Sequence, residues 1–141
     1  MIVIAFDYGI KNIGVAVGEN ITRKGRPLNI LKTNGGKPNW NGVKNLLKCW
    51  EPKIIIVGLP LNIDGTKQNT TKQSEKFAYL LKCKFNILVT MHDERLTTVE
   101  AKSIMFNQGG FKALLKKEKI HSLAAVIILE SWLSQNLLNI H

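Results

Sequence analysis

The order of β-forming runs and helical periods along the chain constrains its fold more than any other feature. Residues 2–8 and 13–18 are β-forming runs that flank the turn residues Gly9 to Asn12, and a third run covers 28–33 after Pro27. Two later runs, 53–58 and 86–91, alternate with helical segments. Strands that alternate with helices join a sheet through right-handed crossovers. The chain is therefore predicted to be α/β, with a mixed five-stranded sheet, an antiparallel meander plus parallel strands, flanked by helices.

Apolar residues at helical spacing predict the flanking helices. The first carries Trp40, Val43, Leu47 and Trp50, with Asn39 as its cap and Pro52 as its stop. The capping-box sequences at 70–73 and 97–100 predict two more helices, the second of which reaches about residue 107. A basic loop is expected over 111–119, and a last helix over 122–132.

Length and composition narrow the class of protein. A chain of 141 residues fits one domain, 1–141. Its longest uncharged apolar run, Leu123–Leu129, is far shorter than the roughly 20 residues that span a bilayer, so no membrane partner is expected. The N-terminal run leads into Asp7 without a basic leader or cleavage site and is interpreted as a strand. Cys49 and Cys83 form no paired motif, which favours free thiols and a cytoplasmic location.

The net charge of +10 points to a polyanionic partner. Basic surfaces bind nucleic acid through release of counterions. Part of the lysine excess, 17 Lys against three Arg, is equally well explained by compositional drift. The arginines are the more informative residues, because a guanidinium group binds phosphate bidentately and an ammonium group does not.

Acidic residues at two strand ends are the candidates for chemistry. Asp7 ends the first strand, and Asp93 and Glu94 follow the strand at 86–91, where ligands gather in open α/β sheets. Carboxylates from separate elements can hold Mg²⁺ or Mn²⁺ for phosphodiester hydrolysis. Taken singly, each of these acids is also compatible with an ordinary turn or a solvated surface. Asp64 is interpreted as part of an Asp-Gly turn.

The motifs taken together resemble those of the YqgF family. Residues 6–18 read FDYGIKNIGVAVG, 57–62 read VGLPLN with DGT at 64–66, 92–101 read HDERLTTVEA, and 124–130 read AAVIILE. Arg26-Pro27 and Gly109-Gly110 extend the likeness over essentially the whole chain. Members of this family are Holliday-junction-resolvase-like proteins described as pre-16S rRNA nucleases.

The resemblance implies an RNase H-like fold, a cytoplasmic location and metal-dependent nuclease activity that matures the 5′ end of 16S rRNA. The family's first-strand aspartate corresponds to Asp7, and the acid of its D-E-R motif to Glu94, with Asp93 adjacent. Its remaining acid opens the final helix, where this chain has His121. A neutral imidazole can bind a metal ion or accept a proton, so His121 is a candidate ligand or proton-transfer group. The alternative is a residue that has drifted in a weakened site.

A surface of basic residues is expected around these acids. Lys11, Arg23, Arg26 and Arg95 lie on predicted turns or strand ends and are the candidates for contacts with nucleic acid.

Other functions remain open at this level. An actin-like ATPase also uses an Asp-x-Gly hairpin, but it needs a second related lobe that this chain lacks. A nucleic-acid-binding module without catalysis is the stronger alternative, because His121 replaces an acid. A resolvase that acts on branched DNA is a further one, since a fold does not specify its substrate.

Overall fold

A computed structural model describes residues 1–96 and 122–136 of the chain. The predicted helix at 97–107, the basic loop at 111–119 and His121 lie outside these residues. The strands are β1 (Ile2–Asp7), β2 (Asn12–Glu19), β3 (Gly25–Asn34), β4 (Lys37–Pro38), β5 (Ile54–Leu59) and β6 (Leu88–Asp93). The described helices are α1 (Trp40–Trp50), α2 (Asn69–Phe85) and α3 (Leu123–Asn136), and Glu94–Leu96 form a 3₁₀ turn after β6.

The strands form one mixed sheet in the order β4-β3-β2-β1-β5-β6. Strands β1, β2 and β3 are an antiparallel meander, and β5 and β6 join β1 in parallel. The predicted α/β class is confirmed, whereas the predicted count of five strands is wrong. The additional strand, β4, forms because Gly35 and Gly36 adopt positive φ angles of 59° and 82° and turn the chain back onto β3.

Alternation along β1 and β5 divides the core between the two faces of the sheet. Ile4, Phe6, Ile55 and Val57 pack with α1 and α2 on one face. Val3, Ala5 and Ile56 pack beneath α3 on the other. Residues of β1 are therefore directed alternately to two different layers of helix, and every second side chain approaches α3.

The boundaries of α1 follow their predicted signals, whereas α2 begins earlier than predicted and α3 continues past residue 132 to Asn136. The Asn39 side chain caps α1 by accepting the Gly42 N–H at 3.1 Å, and α1 ends before Pro52, as predicted. Helix α2 begins at Asn69, so the capping box predicted at 70–73 is wrong. The backbone N–H of Gln68 instead donates to the Thr71 hydroxyl at 2.9 Å. Within the described residues, no helix combines the length and apolar character needed to cross a bilayer.

Candidate functional site

Asp7 occupies the last position of β1, on the face of the sheet that α3 covers. Its side chain follows those of Val3 and Ala5 in the alternation along the strand, and both of these are fully buried. Burial raises the pKa of Asp7 to about 6. Among the residues that the structure describes, none donates a hydrogen bond to this carboxylate or pairs with it as a cation. Asp7 is thus a partly buried acid without a protein partner in this part of the chain.

Glu94 lies next to Asp7 because a glycine leaves room for it. Phe6 pairs with Val57 in the parallel register of β1 and β5, so Gly58 lies beside Asp7 one residue further on. A Cβ atom on Gly58 would stand 3.3 Å from Cδ of Glu94 and 2.6 Å from Cδ1 of Ile128. Neighbouring strands are about 4.8 Å apart. The carboxyl group of Glu94 therefore lies over Gly58, one strand away from Asp7.

Asp93 and Arg95 form an ion pair with each other. The Asp93 carboxylate accepts hydrogen bonds from Nη2 of Arg95 at 2.7 Å and from Nε at 3.1 Å, and these bonds lower the pKa of Asp93. Nη1 of Arg95 also donates to the Ile63 carbonyl oxygen at 3.3 Å. Arg95, expected from the sequence to contact nucleic acid, instead neutralises the neighbouring acid in this structure. Arg95 therefore occupies both oxygens of the Asp93 carboxylate.

Asp64 belongs to a turn, as predicted. Its carboxylate accepts the Thr66 hydroxyl at 2.7 Å and the Thr66 N–H at 3.0 Å. These bonds lower the pKa of Asp64, which is fully exposed. Gly65 between them adopts a positive φ of 90°.

Lys11 is the basic residue that the structure brings to Asp7. An open cleft of about 260 Å³ is lined by Asp7, Gly9, Lys11, Asn12 and Gly14. Gly14 pairs directly with Asp7 across β1 and β2. We call the edge of the sheet that carries Asp7 and Glu94 the acidic edge. A phosphate group in this cleft would contact both the exposed ammonium group of Lys11 and the acidic edge.

Arg23 and Arg26 lie elsewhere, and their predicted position beside the acids is wrong. Arg23 follows Glu19 at the opposite end of β2, about 17 Å along the strands from Asp7. Arg26 pairs with Val17, and its guanidinium group lies 5.1 Å from the ring centre of Trp50, which packs on the α1 side. Asp7 pairs with Gly14 near the start of β2, whereas both arginines lie close to the end of that strand. Neither arginine can therefore flank Asp7.

Ser122 fixes the start of α3 near Asp7. Its hydroxyl accepts the Val15 N–H at 2.9 Å and donates to the Leu28 carbonyl oxygen at 2.7 Å. The register between β2 and β3 shifts between Ile13 and Val15, which frees the Val15 N–H for this contact. His121 itself lies outside the described residues. Sequence reasoning did not assign this role to Ser122, because its hydroxyl bonds to residues of β2 and β3 that are far away along the chain.

His92 and Gly58 are the other residues that sequence reasoning missed. His92 is buried, and its Nε2 lies 2.9 Å from the Ser131 hydroxyl, which joins β6 to α3. Burial lowers the pKa of His92, so the neutral imidazole is favoured. A glycine inside a strand pattern was the available signal for Gly58, because it often marks a close approach.

The residues at this edge fit a hard divalent cation. Asp7 and Glu94 supply carboxylate oxygens, the ligand type that Mg²⁺ and Mn²⁺ prefer. A buried carboxylate without a cationic partner is also the group that a metal ion would stabilise most. Within residues 1–96 and 122–136, no cluster of three or more His, Cys, Asp or Glu residues with metal-binding geometry occurs. Two carboxylates are therefore what the described part of the chain provides.

The sheet order and the acidic edge define the class of protein as an α/β domain of RNase H-like fold. Thermus thermophilus RuvC in complex with a Holliday junction superposes with a TM-score of 0.64 at 16% identity, covering 99% of this chain and 97% of that one. The fowlpox virus resolvase, in a complex with Holliday junction DNA, gives a TM-score of 0.60 at 21% identity, covering 96% and 98%. At these identities the likeness concerns the fold.

The chain belongs to the RuvX family, described as "Holliday junction resolvase", whose model matches residues 1–135. A Buchnera aphidicola protein named "Putative pre-16S rRNA nuclease" is 70% identical over 137 residues, covering 97% of this chain and 99% of the relative. A Citrobacter koseri protein of the same name is 53% identical over 132 residues, covering 94% and 95%. The family resemblance found in the sequence is thereby confirmed.

Proposed function

We propose that this chain is a divalent-metal-dependent nuclease, a single domain that acts in the cytoplasm on the precursor of 16S rRNA. The observation that carries the proposal is the adjacency of Asp7 and Glu94 at one edge of an RNase H-like sheet. The names of the family's close relatives supply the nature of the substrate. The net charge of +10 supports binding of a polyanion.

Each described residue at the edge has a distinct task in this proposal. Asp7 and Glu94 hold Mg²⁺ or Mn²⁺ through their carboxylate oxygens, Asp7 from a rigid central strand. The bound ion would polarise the phosphodiester and lower the pKa of an attacking water. Lys11 neutralises charge on a phosphate in the cleft beside Asp7. Asp93 and Arg95 hold each other and fix the backbone next to Glu94.

His121 is proposed as the third group of the site, a metal ligand or proton acceptor. The support is the anchored position of the next residue, Ser122, whose partner Val15 adjoins Gly14, the β2 neighbour of Asp7. Cleavage by His121→Ala and His121→Asp in Mg²⁺ and Mn²⁺ tests the role. We expect His121→Ala to lose activity and His121→Asp to retain it with a shift of preference toward Mg²⁺, because carboxylate is the harder ligand. Unchanged cleavage by His121→Ala would remove this residue from the site.

Cleavage of four-way DNA junctions is the second candidate function. The description of the family favours it. The same acids would serve this reaction, so the two candidates differ only in the nucleic acid that is bound.

The deciding experiment incubates the purified full chain with labelled precursor 16S rRNA and, separately, with a four-way DNA junction. Each is tested with Mg²⁺, Mn²⁺ or EDTA. We expect metal-dependent cleavage of the RNA that is lost in Asp7→Asn and Glu94→Gln. Asp64→Asn is the matched control, because it alters an exposed acid held in a turn and should cleave normally.

The outcomes separate the candidates. Cleavage of the junction but not of the RNA would establish the second function. Cleavage by Asp7→Asn at the wild-type rate, or by wild type in EDTA, would contradict both. Binding without cleavage in any metal would assign the chain to nucleic-acid-binding modules.

A further inference from the structure

A second cleft opens at the same end of the sheet as Asp7 but on the opposite face. It has a volume of about 550 Å³ and lies between the β3–β4 turn and the first half of α2. Its walls include Tyr8, Trp40 and Phe77, and its rim includes Lys37, Gln73 and Lys76. This volume is within the roughly 300–1,000 Å³ of small-ligand pockets. We call it the aromatic cleft.

The rings of the aromatic cleft are held in place by their neighbours. The Tyr8 hydroxyl donates to the Gly36 carbonyl oxygen at 2.6 Å, which ties the strand end to the β3–β4 turn. The ring centres of Tyr8 and Phe77 are 5.3 Å apart. Trp40 and Phe77 are 5.6 Å apart and nearly parallel, at 25°. Phe77 is only 1% exposed, so it supports the other two rings and offers no surface of its own. Trp40 is stacked by Phe77 and has Lys84 Nζ 5.1 Å from its ring centre, so the half-buried ring of Tyr8 is the surface that a flat base would contact.

The charge at the rim complements an anionic chain. Lys37 and Lys76 are exposed, and none of the described residues that line the cleft is acidic. Glu75, the neighbour of Lys76 on α2, is paired with Lys67 at 3.1 Å. The Gln73 amide offers both a donor and an acceptor for the polar edge of a base. Aromatic walls with lysines at the rim are the combination by which proteins bind single-stranded nucleic acid.

The position of Tyr8 links the aromatic cleft to the acidic edge. Tyr8 directly follows Asp7, so their Cα atoms are about 3.8 Å apart, while alternation directs the two side chains to opposite faces of the sheet. A nucleic-acid strand that crosses this edge can present a phosphate to Asp7 and a neighbouring base to Tyr8.

We propose that the aromatic cleft receives an unpaired base of the strand whose phosphodiester lies at Asp7. The proposal deepens the proposed nuclease function and rests on it for the identity of the strand. A base held in this way would position the strand relative to the acids and favour nucleic acid with unpaired nucleotides beside the scissile bond.

Binding in EDTA tests the cleft separately from cleavage. Dissociation constants are measured for the full chain with single-stranded RNA, the same RNA as a perfect duplex, and single-stranded DNA of the same sequence. Gln73→Trp fills the mouth of the cleft from an exposed position, and Gln73→Ala controls for loss of the amide. Lys76→Ala is compared with Lys82→Ala, an exposed lysine on the same helix that does not line the cleft.

Tryptophan fluorescence gives a second, local readout. Trp40 lines the cleft, whereas Trp50 lies under Arg26 and Trp132 is a buried residue of α3. A base stacked in the cleft should quench fluorescence in wild type and in Trp50→Phe but not in Trp40→Phe. The Phe substitution keeps a ring at position 40, so the fold should be retained.

We expect single-stranded RNA to bind more tightly than duplex and Gln73→Trp to weaken that binding by roughly 5- to 150-fold, the usual effect of losing one stacked base. Gln73→Ala should weaken binding less than Gln73→Trp, because it loses the amide but leaves the cleft open. Lys76→Ala should also weaken binding, whereas Lys82→Ala should bind nearly as wild type. Equally tight binding and quenching by single-stranded DNA would support a base site that accepts either nucleic acid. Wild-type affinity in Gln73→Trp, or quenching that persists in Trp40→Phe, would overturn the proposal. Failure to cleave any substrate, with these binding results intact, would overturn the nuclease function alone.

Discussion

Two acids lie on the α3 side of the sheet at its opposite ends, and their surroundings differ. Glu130 accepts the Gly25 N–H at 2.8 Å, so its carboxylate has a protein partner. Asp7 is partly buried without such a partner among the described residues, and its pKa is raised to about 6. Burial of an uncompensated charge costs free energy, whereas a charge-assisted hydrogen bond contributes to stability. The contrast supports a structural role for Glu130 and a ligand-binding role for Asp7.

The largest expected effect is on cleavage. Asp7→Asn should reduce the metal-dependent rate by at least about 100-fold, because even the outer partners of metal ligands contribute 10- to 100-fold. Glu130→Gln keeps an acceptor for the Gly25 N–H and should cleave near the wild-type rate. Single-turnover cleavage of labelled RNA with saturating Mn²⁺ measures both. A comparable loss of cleavage rate in the two variants would contradict the assignment of a catalytic role to Asp7 and a structural role to Glu130.

The next effect is on stability and its dependence on pH. The pKa of Asp7 is about 6 in the folded chain against 3.8 for an ordinary Asp, so the folded state binds this proton more tightly. Protonation of Asp7 therefore stabilises the folded state. This stabilisation is complete below pH 3.8, the ordinary pKa of Asp, and is lost as the pH rises through about 6, the pKa in the folded chain. In EDTA, Asp7→Asn should therefore be more stable than wild type at neutral pH, by up to about 3 kcal/mol.

Urea unfolding at about pH 4 and at neutral pH measures this difference in the free energy of unfolding. The increase in the free energy of unfolding caused by Asp7→Asn should be small at the lower pH and large at the higher pH. Glu130→Ala should instead lose stability by roughly 1.5–3 kcal/mol, the usual value of a hydrogen bond to a charged group. A gain from Asp7→Asn that does not change with pH would show that its cause is not the buried charge.

A smaller effect concerns the two ends as binding surfaces. Lys11→Ala should flatten the salt dependence of RNA binding by nearly one unit of slope, because Lys11 lies in the cleft beside Asp7. Arg26→Ala should leave the slope unchanged, because its guanidinium group stacks on Trp50 away from that edge. Titrations in EDTA over a range of salt concentrations measure both. Equal flattening would extend the binding surface to the far end of the sheet.

The smallest effect is expected for the ion pair beside Glu94. Asp93 and Arg95 are joined bidentately but retain 21% and 39% side-chain exposure, so solvent screens their attraction. Arg95→Ala should lower the free energy of unfolding by less than about 1 kcal/mol in urea melts. A loss of several kcal/mol would identify Arg95 as a structural support of the 59–67 loop through its bond to the Ile63 carbonyl oxygen.

Local patterns predicted most of the regular structure because those patterns reflect burial. The apolar runs that became β1 and β5 are buried on both faces, and their composition shows this without knowledge of their neighbours. Asn39 and Pro52 delimit α1 by local hydrogen bonding and sterics. Strand β4 has two residues, too few for any periodicity, and exists only because Gly35 and Gly36 turn the chain back onto β3.

The candidate site, too, was predicted from the sequence in part, and the rest depended on the tertiary structure. That Asp7 ends one strand and Glu94 follows another was predicted from the sequence, and so was the family to which the chain belongs. The arginines were misplaced because composition identified the residue type, while the direction of β2 set the location. Arg23 and Arg26 are at the end of the sheet that an antiparallel partner places furthest from Asp7.

The sequence by itself determined the alternation of strands and helices, the basic charge and the acids at the strand ends, because each is a property of neighbouring residues or of the whole composition. Tertiary structure alone decided which acids meet and which are neutralised. The missing side chain of Gly58 leaves room for Glu94 beside Asp7, and Arg95 pairs with Asp93. The Ser122 hydroxyl joins the start of α3 to the Val15 N–H of β2. These contacts join residues on different strands and helices, so the register and packing of the sheet determine them, and no local pattern encodes that register.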